Sequence, residues 1–228
     1  MTKINYEIDN EIAVIKMDDG KANAMDRVFF EEFSESLDYV ETNNAKVLIF
    51  AGRPGFFSGG LDLKLMSTLQ PRELSIFNET FALTILRVFS LPIPTIAACT
   101  GHAIAGGAML CFACDRRFII DGNYKIQINE VLIGVPLPSF MLLIGSSAIP
   151  QQWQTETLLH GKAYNPEEIV ARNMFDAVVK EGDDVVDYAK SEAEKLHALN
   201  LPAYAITKKR MRSSRVEEVK TLLKDELF

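Results

Sequence analysis

Chemistry enters this 228-residue chain at three short stretches. The first is Thr100-Gly-His-Ala-Ile-Ala-Gly-Gly-Ala-Met-Leu-Cys-Phe-Ala-Cys-Asp115, which follows an apolar run from Thr95 to Cys99. Ala103, Ala105, Gly106, Gly107 and Ala108 carry little or no side chain, so backbone there can approach a ligand or another backbone closely. A helix beginning near Gly106 leaves its first N–H groups without intrahelical partners and aimed out of its N-terminus, where developing negative charge is held. The same composition also suits a tight strand–helix crossing in an α/β core. The second stretch, Gly52-Arg-Pro-Gly-Phe-Phe-Ser-Gly-Gly-Leu-Asp-Leu63, repeats the arrangement: an apolar β-like run, Val47 to Ala51, then a glycine pair ahead of a helical pattern. Two such junctions can supply two convergent backbone donors, as an oxyanion hole requires. The third is Ile128-Asn-Glu-Val-Leu-Ile-Gly134. There Glu130 is either a helix-capping or surface carboxylate, or a base whose pKa an apolar pocket moves toward neutrality.

Both glycine loops, in this order and followed by Asn129-Glu130, resemble the crotonase family, the enoyl-CoA hydratase and isomerase superfamily, from about Asp18 to Val179. The resemblance implies an α/β fold, a spiral of repeated ββα units with C-terminal helices that cover the coenzyme A site and assemble homotrimers or hexamers. It implies that the backbone N–H groups of Leu61 and Gly106 form the oxyanion hole and that Glu130 is the catalytic base. It sets the loop from Asp18 to Met25 beside coenzyme A, with Lys21 toward a phosphate and the backbone around Ala22 and Ala24 near the adenosine and pantetheine. Ser58 and Gly59 fall near the adenine, Asp62 organises that loop, and Leu65, Met66 and Leu69 line the acyl pocket. Family hydratases pair the Glu130 position with a second glutamate inside the later glycine segment, and here that position is Met109. A thioether neither activates water nor transfers a proton. The pattern is therefore most similar to a Δ3,Δ2-enoyl-CoA isomerase acting on an acyl-CoA thioester. Hydration, thioester hydrolysis and noncatalytic acyl-CoA binding are the alternatives. Coenzyme A enters as part of the substrate, and no separate cofactor or metal is required.

Composition narrows the field further. The chain is 48% hydrophobic and 24% charged, ordinary for a globular protein, and its length suits a core at about 1–180 with a helical region over 181–228. A net charge of −7 without a long basic block argues against nucleic-acid binding. Cys99, Cys111 and Cys114 lack a second ligand pair for a metal, and read as buried, reduced thiols of a cytoplasmic protein. Met1 to Asn10 lacks the apolar core of a signal peptide, no run approaches the roughly eighteen apolar residues of a membrane span, and Lys224-Asp-Glu-Leu227 is followed by Phe228. His102 has no readable triad around it and is expected to be structural. Lys208, Lys209, Arg210, Arg212 and Arg215 form either a solvated helix face or a basic patch for coenzyme A phosphates.

The elements that must position these groups follow from periodicity. Alternating apolar residues predict a hairpin of 4–8 and 12–17 turning at Asp9-Asn10. Asp26 caps a helix over 27–40 whose stripe is Phe29, Phe30, Phe33, Leu37 and Val40. Strands are expected at 47–51, 95–99, 118–120, 125–128 and 176–179. Helices are expected at 61–69, 72–89, 139–149, 151–160, 163–172 and, interrupted near Asn200-Leu-Pro202, across 183–228.

Overall fold

A computed structural model describes residues 2–180 and 182–226. The chain opens on the hairpin of β1 (Ile4–Asp9) and β2 (Ile12–Met17), with Asp9 opposite Ile12. The turn is therefore Asn10-Glu11, one residue later than expected, and both residues take positive φ (47° and 64°). That is the backbone a two-residue hairpin turn needs to match strand twist. A short strand, β3 (Ala24–Met25), leads into α1 (Arg27–Thr42), where the Asp26 carboxylate accepts from Phe29 N at 2.9 Å. Then come β4 (Val47–Ala51), β5 (Gly55–Ser58), β6 (Gly60–Leu61), α2 (Leu63–Met66) and α3 (Pro71–Ser90). The expected helix over 61–69 thus shrinks to one turn, because Leu61 is held as strand against Met25 and Asp62 caps the helix only from Leu63 onward.

The second half runs β7 (Thr95–Cys99), β8 (Gly101–Ile104), α4 (Gly106–Ala113), β9 (Arg116–Ile120) and β10 (Ile126–Gln127). A 3-10 turn (Glu130–Ile133) precedes α5 (Ser139–Ala148) and α6 (Gln151–Gln154), the latter continuing as a π turn (Thr155–Leu159). After α7 (Pro166–Ala171), β11 (Ala177–Val179) and α8 (Val185–Leu196), the chain ends in α9 (Leu201–Glu226). The expected interruption near Asn200-Leu-Pro202 falls between α8 and α9, and Leu201-Pro202 opens the second helix, since proline is tolerated in a first turn.

Six strands form the main sheet in the order β1-β2-β4-β7-β9-β11, parallel from β2 onward. Both faces are covered, which is why β4 and β7 are buried at every residue. Val47, Ile49 and Ala51 pack beneath α8 with Ile96, Ala98 and Phe118, whereas Leu48 and Phe50 join the larger core with the α1 and α3 phenylalanines. This is the α/β crotonase-like architecture that the resemblance implied.

Candidate active site

A second, three-stranded sheet in the order β10-β8-β5 brings the three chemical stretches side by side. All pairs are parallel, with Gly55 opposite Gly101, Ser58 opposite Ala103 and Ala103 opposite Ile126. Ala103 N donates to Lys125 O at 3.0 Å and Ala105 N to Gln127 O at 2.8 Å, so the segment that delivers Glu130 is tied to the segment that starts α4. β5 and β8 are absent from the strands expected from the sequence; at Gly101 close backbone approach requires glycine, since a methyl carbon there would sit 2.1 Å from the Gly55 carbonyl carbon.

That approach is tightest between the two glycine clusters. A methyl carbon on Gly107 would sit 2.2 Å from Ser58 O, and one on Gly60, where φ is +85°, would sit 2.9 Å from both Gly106 N and Ile104 O. Helix α4 begins at Gly106, as expected, after Ala105 is forced to φ 50°. A non-glycine residue in that conformation stores on the order of 1–3 kcal/mol, typical of a functional junction. Leu61 lies next to Gly60 in extended backbone. Asp62 N donates to Met25 O at 3.0 Å, so the N–H of Leu61, one residue earlier, faces the opposite edge, away from β3. Leu61 and Gly106 are thereby brought together around Gly60.

Two residues brace this arrangement. Ser58 is fully buried; its hydroxyl donates to Asn23 O at 2.7 Å and accepts from Gly60 N at 3.1 Å. The Ser58 side chain, expected near the adenine, is thus engaged within the protein. Asn23, at φ 51° and buried, donates through its amide to Met17 O, Phe56 O and Phe57 O. Its part was not read from the sequence, although an asparagine between two alanines is the residue type that tolerates a left-handed backbone.

Glu130 opens the 3-10 turn and is 9% exposed, at the wall of a cavity of about 490 Å³ that Leu61, Met66, Phe81, Phe140 and Met141 also line. Burial pushes its carboxyl up to about 7, only partly opposed by the backbone N–H groups of Glu130 and Asn129. Its Oε2 is buried without a hydrogen-bond partner among the described residues. An apolar pocket with one near-neutral carboxyl can take a proton from carbon and return it. Gly106 lies against Gly60 and against the ring of Phe81, which lines this cavity.

Glu226, at the end of α9, lines the same cavity, and the sequence reading passed over it. Its carboxylate accepts from Ser139 N at 2.8 Å and from the Ser139 hydroxyl, closing the first turn of α5. The residues expected to border coenzyme A are placed as follows. Gly59 N donates to Ala22 O at 2.8 Å and Ala24 pairs with Gly60, while Lys21 is exposed and its carbonyl accepts from Arg53. Asp62 turns its carboxylate to the N–H groups of Lys64 and Leu65 and caps α2, so it organises the loop and is otherwise engaged. Leu65, Met66 and Leu69 pack against the large core.

Other expectations resolve away from the cavity. Nδ1 of His102 accepts from Lys125 N at 3.0 Å, and its ring lies between Phe56 and Tyr124. Met109 is fully buried. Lys208 and Arg212 do not form a solvated face: both bind Asp115, at 2.7 and 2.9 Å. The three cysteines are free and buried, and among the described residues no group of three or more His, Cys, Asp or Glu side chains is placed to hold a metal ion.

The sequence profile of enoyl-CoA hydratase/isomerase matches residues 7–226. Mitochondrial enoyl-CoA delta isomerase 1 of Rattus norvegicus is 28% identical over 211 residues, covering 91% of this chain and 73% of that protein. A probable enoyl-CoA hydratase of Bacillus subtilis is 29% identical over 201 residues, covering 86% and 76%. Human mitochondrial delta3-delta2-enoyl-CoA isomerase superposes with a TM-score of 0.93 at 26% identity, covering 99% of this chain and 89% of the other. With its two glycine junctions meeting beside a buried glutamate, the chain belongs to the enoyl-CoA hydratase/isomerase family, the crotonase superfamily.

Proposed function

We propose that this protein is a Δ3,Δ2-enoyl-CoA isomerase. The observation that carries the reading is Glu130, a buried carboxyl pushed to about 7 with one oxygen unpartnered among the described residues, at the wall of an apolar cavity. Glu130 takes a proton from C2 of a 3-enoyl-CoA, and negative charge develops on the thioester oxygen. The N–H groups of Leu61 and Gly106 hold that charge, each donor contributing about 3 kcal/mol at the transition state. The protonated Glu130 then delivers the proton to C4, leaving the trans-2-enoyl-CoA. Atoms balance without a cofactor, coenzyme A being part of the substrate. Lys21, Ala22, Ala24 and Gly59 border the coenzyme A moiety. Exposed Val131, Leu132, Ile133 and Leu159 fit burial in a homotrimer or hexamer, and the free cysteines fit the cytoplasm.

A hydratase reading has one observation in its favour: Glu226 supplies a second carboxylate to the Glu130 cavity. The test is a panel of 3-enoyl- and 2-enoyl-CoA thioesters with products resolved by mass and double-bond position. Isomerisation lost in Glu130→Gln and kept in Glu226→Gln supports the isomerase. Hydration of 2-enoyl-CoA that falls in both variants replaces it with a two-acid hydratase.

A further inference from the structure

The glycine junctions follow the C-terminal ends of β4 and β7. At the other end of the same sheet, where β7 and β9 begin, lies a separate cavity of about 370 Å³ between α9 and the C-terminal end of α5. Its charges do not balance. Asp115 supplies one carboxylate, and Lys208, Arg212 and Arg117 supply three cations.

Asp115 is fully committed. Its Oδ2 accepts from Lys208 Nζ, Tyr204 Oη, Thr95 N and Thr95 Oγ1, and its Oδ1 from Arg212 at 2.9 Å. Burial alone would raise its carboxyl, but the two cations hold it below the usual range. The Arg117 guanidinium donates to the carbonyls of Met174 and Cys114 while its backbone N–H donates to the Asp176 carboxylate, and among the described residues no carboxylate comes within salt-bridge distance of the guanidinium itself. Arg215 reaches the hydroxyls of Ser146 and Ser147 at the cavity mouth and likewise lacks a carboxylate among the described residues. Burial lowers Lys208 although Asp115 opposes it, and lowers Arg117 although Asp176 and, more weakly, Asp115 oppose it. Cations held out of water without counter-charge are costly, and an entering oxyanion relieves that cost by accepting their spare N–H donors.

We infer that this cavity is a second binding site, for a small oxyanion, carboxylate or phosphate, at the end of the sheet opposite Glu130. Phe89 and Met211 give an apolar wall to any short organic group attached to the anion.

The test uses the full chain, with inorganic phosphate and acetate titrated separately against chloride at matched ionic strength. Melting is followed with and without saturating coenzyme A. A saturable Tm rise of about 3–6 °C at ten times Kd, unaffected by coenzyme A, is expected; the arm with the larger rise identifies the head group. Ser147→Asp supplies a built-in carboxylate, so its Tm should be higher without added anion and its phosphate response at least tenfold weaker; Thr207→Glu, on the facing helix, is the second such variant. The site is overturned if chloride matches both anions, if coenzyme A abolishes the response, or if the folded variants respond as strongly as the parent.

Discussion

Replacing Glu130 with glutamine should make the protein more stable above neutrality while disabling it. The carboxyl has a folded-state pKa of about 7 against an ordinary value of 4.5, and burial is the cause. Folded protein therefore holds a proton that unfolded protein has lost across that window. Stability falls as pH rises through it, by about 1.4 kcal/mol per pH unit, and levels off above the folded value. The full penalty is about 3 kcal/mol, and an isosteric neutral amide does not incur it. Glu130→Gln should match the parent in Tm near pH 4 and exceed it by about 6–12 °C near pH 8. In the same preparation 3-enoyl-CoA conversion should drop about 100- to 10,000-fold, the usual range for lost acid–base assistance. Paired melts at the two pH values with initial rates are the assay. A Tm difference that is the same at both pH values, or a variant less stable near pH 8, refutes the reasoning that this carboxyl is buried and uncompensated.

Three further outcomes are expected. The rate of isomerisation should rise as pH passes through about 7, because the base must be ionised, and Glu130→Gln should show residual turnover with no such step. Gly60→Ala should cost about 1–3 kcal/mol in urea unfolding, since φ is +85° and the added carbon lies 2.9 Å from Gly106 N; it should also cut turnover at least 100-fold by parting the two donors. Asp115→Ala should destabilise by about 3–5 kcal/mol by leaving Lys208 and Arg212 buried without their carboxylate, with hydrogen exchange in α9 accelerating before that of the sheet.

How much of the fold and site was legible depended on sequence separation. The glycine clusters before Leu61 and at Gly106 and the Asn129-Glu130 pair each stand in a local pattern that drew attention to those stretches, but the roles given to Leu61, Gly106 and Glu130 came from the resemblance to the crotonase family, because no local pattern says which groups converge. The start of α4 at Gly106 was legible from the local pattern. The bracing role of the Ser58 hydroxyl was not legible, because its partner Asn23 lies 35 residues away. Glu226 was invisible because it meets Ser139 across 87 residues, and Lys208 because its partner Asp115 lies 93 residues upstream. The helix expected over 61–69 failed where a two-residue pairing with β3 overrode local periodicity.

The charged anchor of α9 also explains how a helix with so little apolar surface can place a side chain in the cavity. Only Lys208, Val216, Val219 and Leu223 are buried along its 26 residues. Three aliphatic side chains contribute about 1.5–3 kcal/mol each, little beside the entropy of ordering the segment. Aliphatic contacts are also tolerant of sliding, whereas Lys208, Arg212 and Tyr204 meeting one carboxylate are not. That constraint sets the helical register. Glu226 stands roughly 18 residues beyond Lys208, about 27 Å along the axis, and a slip of one residue would turn it about 100° away from Ser139. A polar cluster at one end of the sheet thus determines whether a second carboxylate reaches the cavity at the other.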